Sequence, residues 1–410
     1  MNLLKYVPRT LGELNRLLVK WEKKTGKTTP TRLYLGEANY RTLNNVLSAL
    51  LPYGKIALLF SNDYFNKSGK GIVRALEKGG NKVITLVGES SALNVHSLSK
   101  YFSIPEDVRA IAVFEDEYVP VASYVCSVKK LPLIFNCDKI SMTEILPCML
   151  RIKNGEKTDV ISIDCPRYVV FDRAIENTDI DLPEIYVFNT ATAVSLTDYS
   201  IRCALGLDEF NGYAYNLSKE AVTGAYKIMK DKEIKPSLLS FAIKNVVANY
   251  MTGGKLFSGS AVYTACELSG DCSVVEILSR ILGIYYLAFC GEYDDNLYYA
   301  NYNDRVNRLE KFGYSAEETL NHINYQLSII EGRGKELNEK FLSIKETLKA
   351  QNGVMNTIRN TYIALGGKKP VDIEKINLAV SLCGDVPGVF NGMTLAREKG
   401  FAEAGLSLTE

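Results

Sequence analysis

Leu11, Leu14, Leu18 and Trp21 recur on one helical face, and Thr10 and Glu13 have the spacing of a capping box, so the chain is expected to open on a helix. From Thr31 short apolar runs alternate with helical stretches. The runs Arg32–Leu35, Ile56–Phe60, Lys82–Val87, Ala110–Phe114 and Leu131–Phe135 read as strands. Between them Tyr40–Leu51, Lys67–Leu76, Ala92–Phe102 and Val119–Lys129 read as helices, and Gly79-Gly80 marks a helix stop. IALLF and AIAVF are apolar throughout, as strands of a parallel sheet covered on both faces are. Met149–Lys153 and Thr158–Ile163 flank Asn154-Gly155, a pair suited to a type I′ hairpin turn, and Tyr168–Asp172 is a last short strand. From about residue 183 only helical periodicity remains, broken at Gly206–Gly212, Lys235-Pro236, Gly253-Gly254 and Gly366–Pro370. The pattern predicts a doubly wound, mostly parallel, Rossmann-like α/β domain over 1–172, with a β-hairpin near 147–163. An all-α domain over 173–410 should follow, with a cleft between the two.

Composition narrows the classes. Of 410 residues 47% are hydrophobic and 23% charged, an ordinary globular balance. Forty-eight basic against 47 acidic residues leave a net charge of +1, which gives no footprint for nucleic acid or an anionic membrane. Two histidines exclude most histidine-based metal sites and most Ser-His-Asp or Cys-His arrangements. Nine cysteines form no CxxC pair and most sit in apolar runs, as reduced core residues of a cytoplasmic protein would. MNLLKYVPRT lacks the apolar core of a signal peptide, and the apolar stretch Ile281–Cys290 is too short to span a bilayer. SGKGIVRAL lacks P-loop spacing.

Several segments carry a resemblance in their order and spacing. They are TRLYLGEANYRTLNNVL, GKIALLFSNDYFNKSGKGIVRALEKGGNKVITLV, AIAVFEDEYVPVASYVCSVKKLPLIFNCDK, SMTEILPCMLRIKNGEKTDVISIDCPRYVVFD, LFSGSAVYTACEL and MTLAREKGF. Together they resemble the dehydroquinate synthase-like and iron-containing alcohol dehydrogenase superfamily, closest to sn-glycerol-1-phosphate dehydrogenase-like proteins. The resemblance implies an NAD(P)-dependent oxidoreductase or a dehydroquinate synthase-type enzyme, but the superfamily's motifs are degenerate here. Its glycine-rich pyrophosphate loop corresponds to Phe114, Glu115, Asp116 and Glu117, and Pro120 and Ser123 stand where it has an aspartate and a lysine. Glycine serves there because a side chain would bar backbone N–H groups from phosphate oxygens. Two readings stay open: a loop recruited for another, cationic ligand, or a solvated acidic turn left after cofactor binding was lost. The superfamily metal is held by one aspartate and two histidines, and the matching positions are Asn189 (beside Phe188), Val262 and Glu276. These do not form a transition-metal site. No cofactor is therefore expected, and NAD(P) enters through the resemblance alone.

Other candidates are weaker. Ser61, Asn62 and Asp63 end the second strand, where a polar side chain meets either a ribose hydroxyl or the next helix as a cap. Cys137, Asp138, Lys139, Ser141 and Thr143 follow the last parallel strand, where the superfamily contacts its ligands, and Lys139 is the loop's one cation. His96 and His322 each stand alone in sequence, and no residue declares itself catalytic. The expectation is a divergent member of the superfamily that binds a small molecule in its cleft or acts as a non-catalytic partner. The alternative is an active, metal-independent oxidoreductase or synthase acting on a polyol, sugar or cyclitol phosphate. A homo-oligomer and a hetero-partner are both compatible with this reading.

Overall fold

A computed structural model describes residues 11–26, 32–36, 39–50, 54–88, 103–115, 118–137, 149–154, 157–172, 181–270, 273–290, 302–351, 355–368 and 372–398. The chain divides into two compact units. The first comprises Met1–Asn154, Val160–Ile180 and Asn249–Gly254; the second comprises Gly155–Asp159, Asp181–Ala248 and Lys255–Glu410.

In the first unit α1 (Leu11–Thr25) buries Leu14, Leu17 and Leu18. Six strands form one sheet: β1 (Arg32–Gly36), β2 (Lys55–Ser61), β3 (Lys82–Gly88), β4 (Val108–Val113), β5 (Leu133–Cys137) and β8 (Tyr168–Asp172). Their order is β1-β8-β5-β4-β2-β3, and every neighbouring pair is parallel. The predicted mostly parallel α/β sheet is therefore present, and Tyr168–Asp172 is inserted between β1 and β5. β6 (Met149–Asn154) and β7 (Lys157–Ser162) pair as a separate two-stranded sheet.

Continuous apolar strands need cover on both faces, and α2 (Asn39–Leu50) and α3 (Lys70–Lys78) supply part of it. Leu43, Leu47 and Leu76 pack with Ile56, Leu58, Phe60, Ala110, Ala112 and Phe114 in one core. Each Leu, Ile or Phe so enclosed contributes about 1.5–3 kcal/mol of transfer free energy. The helix expected at Lys67 begins earlier: Asn62–Tyr64 follows β2 without a loop, and a π-helical turn, Phe65–Gly69, joins it to α3. After α4 (Val119–Lys129), Lys130 adopts a left-handed conformation (φ 56°) and the Leu131 N–H bonds the Cys126 carbonyl. This C-cap delays β5 to Leu133, two residues beyond its expected start.

From Leu182 onward all described regular structure is helical. It comprises α5 (Leu182–Ala204), α6 (Gly212–Ala225), α7 (Ile234–Met251), α8 (Ala261–Ser269), α9 (Val274–Cys290), α10 (Tyr302–Glu310), α11 (Ala316–Ile330), α12 (Gly334–Gln351), α13 (Met355–Ala364), α14 (Ile373–Leu382) and α15 (Gly392–Glu398). α5 is buried on every side, as its nearly uncharged sequence requires. Asp181 caps it by accepting the Glu184 N–H at 3.0 Å. The break expected at Lys235-Pro236 lies earlier. Pro236 sits in the first turn of α7, where its missing N–H costs nothing. Among the described residues no helix is long and apolar enough to cross a membrane.

Candidate functional site

Ser61 and Glu115 lie at the carboxyl ends of the adjacent strands β2 and β4, the edge where open α/β sheets place ligands. They meet there. Glu115 Oε2 accepts the Ser61 backbone N–H at 2.7 Å, and Ser61 Oγ donates to Glu115 Oε1 at 2.6 Å. Ser61 Oγ also accepts the Tyr64 N–H at 3.0 Å as the helix N-cap. In a capping box the N3 side chain reaches back to the cap N–H. Here N3 is Tyr64, and Glu115 performs that task from just beyond the end of β4. The Ser61 hydroxyl is thereby committed on both its donor and acceptor sides.

Phe114 is not part of an open loop. It is 1% exposed and stacks on Phe60 with ring centroids 5.1 Å apart, so its ring belongs to the core. The side chain after it turns to Ser61. Asn62 is exposed at the helix start, and Cys137 is buried at the end of β5. Beside Cys137, Asn136 is fully enclosed, donates to the Val113 carbonyl at 3.4 Å, and leaves Oδ1 without a donor among the described residues. Asp116, Glu117, Lys139, Thr143 and His96 lie outside the described residues.

The three positions matched to the superfamily metal ligands each have another occupation. Asn189 is buried in α5, donates to the carbonyls of Ile185 (2.9 Å) and Leu238 (3.1 Å), and accepts from Asn245 Nδ2 at 2.9 Å. Asn245 in turn accepts from Ser218 Oγ at 2.7 Å. Both ends of the Asn189 amide are thus used in helix packing. Val262 is wholly buried and has no donor atom on its side chain. Glu276 pairs with Arg280 at 2.8 Å and Arg359 at 2.7 Å. An amide, an alkyl group and an arginine-bound carboxylate do not fit iron or zinc. Among the described residues no group of three or more His, Cys, Asp or Glu could hold a metal ion.

Asp198 forms the buried polar centre that the family positions do not predict. It is 0% exposed; Oδ2 accepts the Ala261 N–H at 2.8 Å, and Oδ1 accepts the Gly392 N–H at 2.8 Å and the Tyr285 hydroxyl. Burial pushes its pKa up, and these three donors oppose the rise. The carboxylate therefore ties the N-termini of α8 and α15 to α5 and α9. Gly392 permits that approach, since a Cβ there would lie 2.5 Å from the Tyr285 ring. The signal in the sequence was the lone charge between Glu184 and Arg202.

A second buried cluster surrounds α15. Arg305 pairs with Asp385 through two bonds and with Glu398 at 2.9 Å, while Arg397 pairs with Asp385 at 3.0 Å. His322 Nε2 lies 2.7 Å from the Val389 carbonyl, and burial lowers its pKa. Two arginines against two carboxylates compensate locally, as buried charges must.

No family model matches the sequence, and no curated protein matches it. The structure is similar to solved iron-containing alcohol dehydrogenases. That of Thermococcus thioreducens has a TM-score of 0.56 and 11% identity, covering 92% of this chain and 99% of that one. NADH-dependent butanol dehydrogenase A of Thermotoga maritima has a TM-score of 0.54 and 14% identity, covering 93% and 97%. The Corynebacterium glutamicum iron-containing alcohol dehydrogenase has a TM-score of 0.54 and 11% identity, covering 92% and 95%. A parallel α/β unit followed by helices, over nearly the full length of both chains, is the fold of the iron-containing alcohol dehydrogenases.

Proposed function

We propose that this chain is a divergent protein of that fold, beside the sn-glycerol-1-phosphate dehydrogenase-like proteins, which works by binding a small molecule or a partner and performs neither hydride transfer nor metal-assisted chemistry. The observation that carries the reading is the Glu115–Ser61 pair. A carboxylate already occupies the backbone N–H and hydroxyl at the end of β2. A dinucleotide phosphate approaching to ~4 Å would meet like-charge repulsion of ~1 kcal/mol in water and ~4 kcal/mol at an effective dielectric of 20. The helical unit supports the same reading, because Asn189, Val262 and Glu276 are spent on packing and on an arginine pair.

A steady-state assay tests this directly. NAD+ or NADP+ is supplied with iron(II) or zinc(II) and a panel of alcohols, polyols and polyol phosphates, and no turnover above background is expected. Metal-dependent turnover at an enzymatic rate would overturn the proposal.

A further inference from the structure

We propose that the first unit carries a second, separate site for a small amphipathic anion, one with a flat apolar body and a carboxylate, sulfonate or phosphate head. A concavity of about 550 Å³ opens where α4 ends and where β5 and β8 begin. That is the amino edge of the sheet, whereas Ser61 and Glu115 stand at the carboxyl edge. Its volume falls in the range of small-molecule sites, about 300–1,000 Å³.

Pro132, Leu133 and Ile163 give it an apolar wall, and Lys130 and Arg167 line it with exposed cationic side chains. Among the described residues neither cation is paired with a carboxylate. The one carboxylate in the lining, Asp164, accepts a hydrogen bond from Ser127 Oγ at 3.0 Å. The frame is fixed by the main chain. Lys130 is held left-handed by the C-cap of α4, and the Arg167 carbonyl accepts the Arg32 N–H at 2.9 Å at the foot of the β1–β8 ladder. Two cations on rigid backbone beside an apolar wall favour an anion whose body can leave water. An inorganic ion would use only half of the site, and a neutral apolar molecule the other half.

The test uses the whole chain and the fluorescent probe 8-anilino-1-naphthalenesulfonate, with N-phenyl-1-naphthylamine as its uncharged analogue. Saturable binding of the sulfonate is expected. The exposed-residue variant Lys130→Glu/Arg167→Glu should weaken it at least about tenfold while leaving the melting temperature unchanged. The neutral analogue should bind the unmodified chain at least about tenfold more weakly and respond little to the charge reversal. No saturable sulfonate binding, or sulfonate binding that the double reversal does not move, would overturn the proposal. Failure here leaves the Glu115–Ser61 argument intact, because the two sites lie at opposite edges of the sheet.

Discussion

Glu115 and Ser61 are 54 residues apart in the chain and share two hydrogen bonds of 2.7 and 2.6 Å. The pair caps a helix and fills the end of a strand at once. Glu115→Ala should therefore destabilise the protein by about 1–3 kcal/mol, the range for hydrogen bonds to a charged group and for a donor left unpaired. Ser61→Ala removes the N-cap as well and should cost about 1 kcal/mol or more. In a double-mutant cycle followed by urea denaturation, the two should couple by at least ~0.5 kcal/mol. Additive effects would show that the contact contributes nothing in solution.

The Asp198 junction predicts a steric and a polar sensitivity. Gly392→Ala would force a methyl group against the Tyr285 ring and should cost about 1–3 kcal/mol as overpacking. Tyr285→Phe keeps the ring but deprives a buried carboxylate of one of its three donors, with an expected loss of about 1–3 kcal/mol. Denaturation midpoints of the two variants check both values.

His322 supplies a pH dependence of definite sign. Its folded pKa is lowered from 6.5 by burial, with Asp385 and the Val389 carbonyl opposing the shift and Arg305 adding to it. Between that lowered value and 6.5 the unfolded chain holds the proton more tightly, so acidification through this window favours unfolding. His322→Gln should lose less stability than the unmodified chain between pH 7 and pH 5 (about the titration range of histidine). Glu398 and Asp198, whose pKa values are raised, act with the opposite sign and are common to both proteins. Parallel stability curves for the two proteins would contradict the assignment.

The strands of the parallel sheet were legible as apolar runs, and the buried run from Ile56 to Phe60 needs no distant information to be read as one. The position of Tyr168–Asp172 was not, since strand order depends on pairings that no local pattern records. Glu115 was visible as a carboxylate where glycine was expected, but its partner Ser61 emerges only once β2 and β4 are neighbours. Phe114 was legible as the last residue of the apolar run Ala110–Phe114, and its ring packs in the core with Phe60 and Leu76. Asp198 was the opposite case. The lone charge was readable, but its donors come from Ala261, Tyr285 and Gly392 on three other helices.

The metal prediction follows from donor chemistry. Purified protein exposed to iron(II) or zinc(II) and then dialysed should retain a substoichiometric amount, measured by elemental analysis. Arg359→Ala, which strips Glu276 of one of its two arginines, should not change this, because Asn189 and Val262 still offer no anionic or imidazole ligand. A full equivalent held through dialysis would contradict it.

Titration of the unmodified chain with NADH and NADPH, followed by nicotinamide fluorescence and by calorimetry, should show no saturation below about 1 mM, a binding free energy no more favourable than about −4.1 kcal/mol. Saturation at micromolar concentration, competed by the oxidised dinucleotide, would show that the Glu115 carboxylate leaves the phosphate path open and that the chain retains the cofactor.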